Sequence, residues 1–149
     1  MQQIEKLKFN GELQVVLTGS DGKIRETHDF KNLVVSTGLN YIVSRMKDAT
    51  ATAMSNMSVG TSATAAVAAD TALGAEIASS RVVLISTTVL TNTITYVATF
   101  GAGVGTGAIT EAGIFNAASA GTMLCHTVFP VVNKQSGDSM TVTWTVTVS

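Results

Sequence analysis

Cys125-His126 is the one place in this 149-residue chain where a soft nucleophile and a base are sequence neighbours. Adjacent residues of a strand point to opposite faces, so a pair placed in a strand cannot exchange a proton. The context therefore predicts Cys125 as a small core residue and His126 as a surface residue. His28 precedes Asp29, but no serine or cysteine motif completes a triad, and ordinary surface chemistry near a strand end is its expected role. Glu111 stands alone in the uncharged stretch Ala108-Ile-Thr-Glu-Ala-Gly-Ile-Phe115. A lone buried carboxylate is costly, which predicts a partner: Arg81, the only basic residue between Lys47 and Lys134, or backbone N–H groups at a strand bend. No second carboxylate is near in sequence for paired acid and base work. Gly101-Ala-Gly-Val-Gly-Thr-Gly107 lacks both the dinucleotide spacing and the phosphate-loop lysine, so it reads as a tight strand connection. Trp144 reads as core. These arrangements predict no enzyme, no cofactor and no metal site, and Cys125 has no companion ligands at zinc spacing.

The elements that hold these residues are mostly strands. Met140, Val142, Trp144, Val146 and Val148 alternate with Thr141, Thr143, Thr145 and Thr147, one apolar face against one hydroxyl face. Thr93 to Phe100 repeats the design, and with Arg81 to Leu90 across Thr91-Asn92 it reads as a hairpin. Phe9 to Thr18 and Lys23 to Val35 flank the turn Gly19-Ser-Asp-Gly22, the second strand with a break expected near Asp29. Met54 to Val59 reads as a short strand. Ala108 to Ala117 and Thr122 to Val132 form a second hairpin, with Pro130 expected at an edge or strand end, and Lys134 to Asp138 make the last turn. One amphipathic helix is expected over about 37–47, with Leu39, Ile42, Val43 and Met46 on its apolar face and Ser36 or Thr37 as cap, covering an open end or one face of the sheet. Between Gly60 and Ile77 a long ordered loop is expected, with one helical turn around Asp70 to Leu73. The predicted fold is a single mainly β domain over 1–149, an antiparallel β-sandwich or jelly-roll-like domain, with 1–8 as an N-terminal arm carrying Lys6 and Lys8.

Charge is the strongest compositional signal. From Ala49 to Ser149 the only charged residues are Arg81, Lys134, Asp70, Glu76, Glu111 and Asp138, where an ordinary domain keeps roughly a quarter of its residues charged. Threonine and alanine occupy the places of lysine and glutamate, and such a surface predicts permanent protein contact and a homo-oligomer. Basic residues do not cluster, so no nucleic acid is expected as a partner. No apolar run approaches the ~18 residues of a membrane span, and the start is polar where a signal peptide is apolar, so no membrane contact and no processing are expected.

Asn32-Leu-Val-Val-Ser-Thr-Gly-Leu-Asn40, Met57-Ser-Val-Gly-Thr61, Ala69-Asp-Thr-Ala-Leu-Gly-Ala-Glu76, Ile109-Thr-Glu-Ala-Gly-Ile-Phe-Asn-Ala117 and Val142-Thr-Trp-Thr-Val146, in that order, resemble small virion proteins of tailed bacteriophages. The resemblance runs from about Lys31 to the end. It implies a β-rich accessory component of the particle, made in the host bacterial cytoplasm. The first expectation is a capsid decoration (cement) protein on the exterior of the head, its partner the major capsid protein. The second is a tail, baseplate or fibre-anchoring component, since Glu-Ala-Gly-Ile-Phe is similar to segments of tail-fibre attachment domains. A carbohydrate-binding module stacking sugars on Trp144 or Tyr96 is the third. Glu111, Arg81, Trp144, Lys6 and Lys8 are the candidate structural or interface residues.

Overall fold

The computed structural model describes residues 6–47 and 51–149. Nine strands and one helix follow one another as β1 (Phe9–Thr18), β2 (Ile24–Val34), α1 (Ser36–Lys47), β3 (Asn56–Gly60), β4 (Val82–Val83), β5 (Ser86–Leu90), β6 (Thr93–Phe100), β7 (Gly107–Phe115), β8 (Met123–Lys134) and β9 (Ser139–Val148). They form one antiparallel sheet in the order β4-β3-β7-β8-β2-β1-β9-β6-β5.

The sheet is curled into two facing layers. β2 pairs with β1 from Gly11↔Asn32 onward, but meets β8 only at Leu33↔His126 and Val34↔Cys125, so it turns the corner between layers. At the other corner β4 runs through Leu84 and Ile85 straight into β5; the Leu84 N–H donates to the Ser55 carbonyl at 2.9 Å and the Ile85 N–H to the Val97 carbonyl at 2.8 Å. The two ends of the strand order are thus one continuous segment. Between the layers lie Leu13, Val15, Leu17, Phe100, Val142 and Trp144 from one side and Met57, Val59, Ile109, Ile114, Cys125 and Val132 from the other. Period-two alternation produces this, because each strand turns every second side chain inward. On the far side of the first layer the threonines form hydroxyl pairs, Thr95 with Thr145 at 3.2 Å and Thr99 with Thr141 at 2.9 Å.

Several local expectations change. β2 runs unbroken through Asp29. Pro130 does lie at an edge as expected, exposed in the half of β8 that has only β7 beside it and opposite the register shift between Ile109 and Glu111. No helical turn forms at Asp70 to Leu73; the chain makes a tight turn at 68–69 instead, closed by the Asp70 N–H on the Val67 carbonyl at 3.0 Å. The Thr37 hydroxyl does not cap α1 but donates to the Met123 carbonyl of β8 at 2.9 Å.

The helix packs by an unexpected face. Gly38 is its buried residue, and a Cβ there would overlap the Leu124 carbonyl. That close backbone approach rotates the Leu39, Val43 and Met46 stripe outward, with Val43 and Met46 at 65% and 78% exposure, while Ile42 and Tyr41 pack on the core.

At the N-terminus, residues 1–5 of the expected arm lie outside the described residues. Lys6 and Lys8 are exposed. The Lys8 backbone exchanges hydrogen bonds with Ser149, at 2.7 and 2.9 Å, so it extends the β1–β9 ladder rather than standing off the domain.

Candidate functional site

The second layer has a covered outer face. β3 is buried at every position, because the segment from Thr61 to Arg81 lies over the side of the sheet that faces away from the core. The register lines up Ser58, Gly113, His126 and Leu33 across four strands on that face. Leu73 of the covering segment packs with Phe115, Met123 and Val35 in a second small apolar cluster. Gly113 makes room, since a Cβ there would meet Leu73 at 2.9 Å.

Glu111 and His126 lie beneath this cover, at 0% and 3% exposure. His126 is therefore buried, not on the surface; facing away from Cys125, as expected in a strand, still placed it inside once the segment folded over. Its Nδ1 lies 2.8 Å from Asp70 Oδ2 and its Nε2 2.9 Å from Glu111 Oε2. Glu111 also accepts the backbone N–H groups of Ser62, Gly74 and Ala75 at 3.2, 2.9 and 2.7 Å. The expected hydrogen-bonded carboxylate is present, but its side-chain partner is His126 rather than Arg81. The Val67 N–H lowers the Asp70 carboxyl below its ordinary value, against the cost of burial, with His126 adding to the lowering.

Arg81 belongs to a neighbouring clamp. Its Nε and Nη2 bind Glu76 at 2.9 and 2.8 Å, and its Nη1 donates to the Ala117 and Ala120 carbonyls at 3.2 and 2.7 Å. The guanidinium carbon lies 3.7 Å over the Phe115 ring. Burial raises the Glu76 carboxyl, but hydrogen bonds from Arg81 and Ser58 and the Arg81 charge bring it below its ordinary value. Ser79 and Ala120, on either side of the clamp, hold left-handed backbone at φ 58° and 52°, a conformation that non-glycine residues rarely adopt.

These groups lock a segment onto a sheet. Asp70–His126–Glu111 has the residue types of an acid–base relay, yet Glu111 has no exposed surface, and all its acceptor directions are filled by the chain itself. Cys125 is buried in the other layer of side chains, its thiol pushed up to about 12 by burial. The glycine-rich connection is a turn whose Gly101 carbonyl accepts the buried Lys134 ammonium at 2.8 Å. Burial lowers the Lys134 pKa, partly offset by Asp138. Trp144 is fully buried and Tyr96 is 4% exposed, so neither offers a ring face to a sugar. The Asn56-Met-Ser58 sequon is buried within β3.

No protein-family model, curated protein or solved structure matches this chain.

The outer surface has two apolar features. One is the α1 stripe, which with Leu7, Phe9 and Leu33 lines a groove of about 420 Å³. The other is the fringe Val83, Ile85, Val89 and Leu90 along β4 and β5, each 66–72% exposed. Neither was legible beforehand, since both arise from how the helix and the corner segment are turned. A narrower recess of about 340 Å³ at the open end of the sandwich lies between Tyr41, Met54, Tyr96 and Val146.

Proposed function

We propose that the chain is a bacteriophage virion structural protein, foremost a capsid decoration (cement) protein that binds the outer head surface and stabilises contacts between major capsid proteins. One observation carries the reading. All six charged residues after Ala49 are tied inward: Asp70 and Glu111 to His126, Glu76 to Arg81, Lys134 to the Gly101 carbonyl, and Asp138 to Arg25 at 2.9 Å. Much of the remaining outer surface of this part is threonine, serine and alanine, with the amides of Asn92, Asn133 and Gln135 among them and the apolar stripe of α1 beside it. A surface of that kind suits permanent contact with other protein better than solvent. The order of motifs that resembles small phage virion proteins supplies the setting.

In that role the domain adds buried area between capsid subunits. Each bound copy stabilises the assembled shell by mass action, and many weak contacts around a capsomer act together. Lys6 and Lys8, exposed and next in sequence to Leu7 of the α1 groove, would serve as polar contacts.

The second reading is a tail, baseplate or fibre-anchoring component, favoured by the Glu111 to Phe115 stretch. Stoichiometry separates them. Quantitative mass spectrometry of purified particles, referenced to the major capsid protein, gives a copy number on the scale of capsomers for the first and a few copies per particle for the second. Absence from purified particles contradicts both.

A further inference from the structure

The three longest stretches of strand with a ladder partner on one side only among the described residues lie in β2, β8 and β5, and the molecule treats them differently. The first half of β2 leaves β8 and keeps only β1; it carries Arg25, Glu26, His28, Asp29 and Lys31. The second half of β8 keeps only β7, and Pro130 sits in it at an irregularity of register. Charges, proline and bulges are the devices that stop an open edge from recruiting another strand. β5 ends the strand order with β6 as its only partner. Its sequence, Ser86-Thr-Thr-Val-Leu90, has no charge, no proline and no register shift within its pairing to β6, and every residue is exposed. Alternate backbone N–H and C=O groups of such a strand point away from its neighbour.

We infer that β5 is a strand-addition edge, and that its occupant is β5 of a second copy of this chain, paired antiparallel about a two-fold axis. The inference deepens the reading of the chain as an assembly subunit and rests on it. Self-pairing is favoured by three features. β5 is uncharged, so two copies bring no like charges together. The two longer open stretches are blocked and the remaining ones, in β4, β6 and β7, are shorter than β5, so a second copy has no better strand to offer. A two-fold contact also closes, whereas a head-to-tail contact leaves one edge open at each end. Centring the axis on Thr88 sets Thr87 opposite Val89 of the second copy and Ser86 opposite Leu90. Val89 and Leu90, both exposed, then lie within two residues of the axis.

The test uses the purified full-length chain and light scattering coupled to size exclusion. The expected results are a dimer mass for the unchanged protein and a monomer mass for Val89→Lys, with its urea midpoint preserved. Thr88→Cys should cross-link under mild oxidation, because facing Cα atoms of an antiparallel pair lie about 4.5–5.5 Å apart, within disulfide reach. Thr145→Cys, on the outer face of β9, should not. The native Cys125 is buried and does not compete. A monomeric unchanged protein, a dimer that Val89→Lys leaves intact, or failure of Thr88→Cys to cross-link overturns the inference; the cross-link decides if Val89→Lys does not fold. A monomer found on virions removes the β5 contact and leaves the virion role standing, while a β5 dimer absent from virions does the reverse.

Discussion

Replacing Glu111 should detach the covering segment from the sheet, and the geometry sets the scale of the loss. Glu111→Ala removes the acceptor of three backbone N–H groups and of the His126 Nε2. A buried donor left without a partner costs about 1–3 kcal/mol, and three backbone donors lose theirs here. Partial entry of water into the gap trims the sum, so a loss of about 4 kcal/mol is expected, a large share of the roughly 5–15 kcal/mol that holds a domain together. Glu111→Gln is the informative contrast. Its carbonyl keeps the Oε1 bonds to Ser62 and Ala75, but its NH₂ faces the Gly74 N–H, leaving one donor unmatched. About 2 kcal/mol follows. The assay is urea unfolding followed by fluorescence of Trp144, the single tryptophan and fully buried, with hydrogen exchange at Gly74 and Ala75 to localise the effect. A cost below about 1 kcal/mol for Glu111→Ala would refute the view that this carboxylate pins the segment.

Other perturbations have equally definite signs. Arg81→Lys keeps the charge but loses the fork that spans Glu76, Ala117 and Ala120; calorimetry should register about 1–3 kcal/mol, and wild-type stability would contradict the clamp. Gly38→Ala drives a methyl into the Leu124 carbonyl, so circular dichroism with denaturant should show a loss of about 1–3 kcal/mol, whereas a gain, as expected for an open helix position, would deny the close packing. Asp70 and Glu76 have lowered folded values, so their contribution is present above their ordinary values of 3.8 and 4.5 and is lost as pH falls through the folded ones. Amide exchange in 61–81 should therefore rise in acid before the rest of the sheet opens. The Cys125 thiol is raised, so its contribution is full below its ordinary value of 9.0 and disappears as pH climbs towards about 12. Cys125→Ala should flatten the part of the alkaline decline in the urea midpoint that begins near 9.0, and an unchanged profile would count against the thiol's burial as its cause.

What the sequence made legible follows from the range of the interactions involved. β9, β6 and β1 stand out because alternation is written into consecutive residues, and the β5–β6 turn because Thr91 and Asn92 interrupt it. The helix was legible as an element, but its orientation was not, because hydrophobic period alone points Leu39, Val43 and Met46 inward. A backbone contact through Gly38 overrides that pattern. The burial of His126 was hidden for a related reason: the segment that covers it has no periodicity, and its attachment depends on pairs such as Asp70 with His126 that lie far apart in the chain. A signal was present all the same. Glu111 and His126 both sit in strands with apolar residues on either side, and a strand apolar on both faces is a covered strand. Of the two partners the sequence leaves open for Glu111, the backbone N–H groups are the ones present, and Arg81 goes to Glu76, five residues away, a choice that is invisible without the register of β3 and β7.

Immunogold electron microscopy of intact phage particles with an antibody to this chain shows where on the virion it sits. Label distributed over the head is the predicted result. Label confined to the tail contradicts the decoration role, and accessible, intact particles without label contradict a place on the outside of the virion.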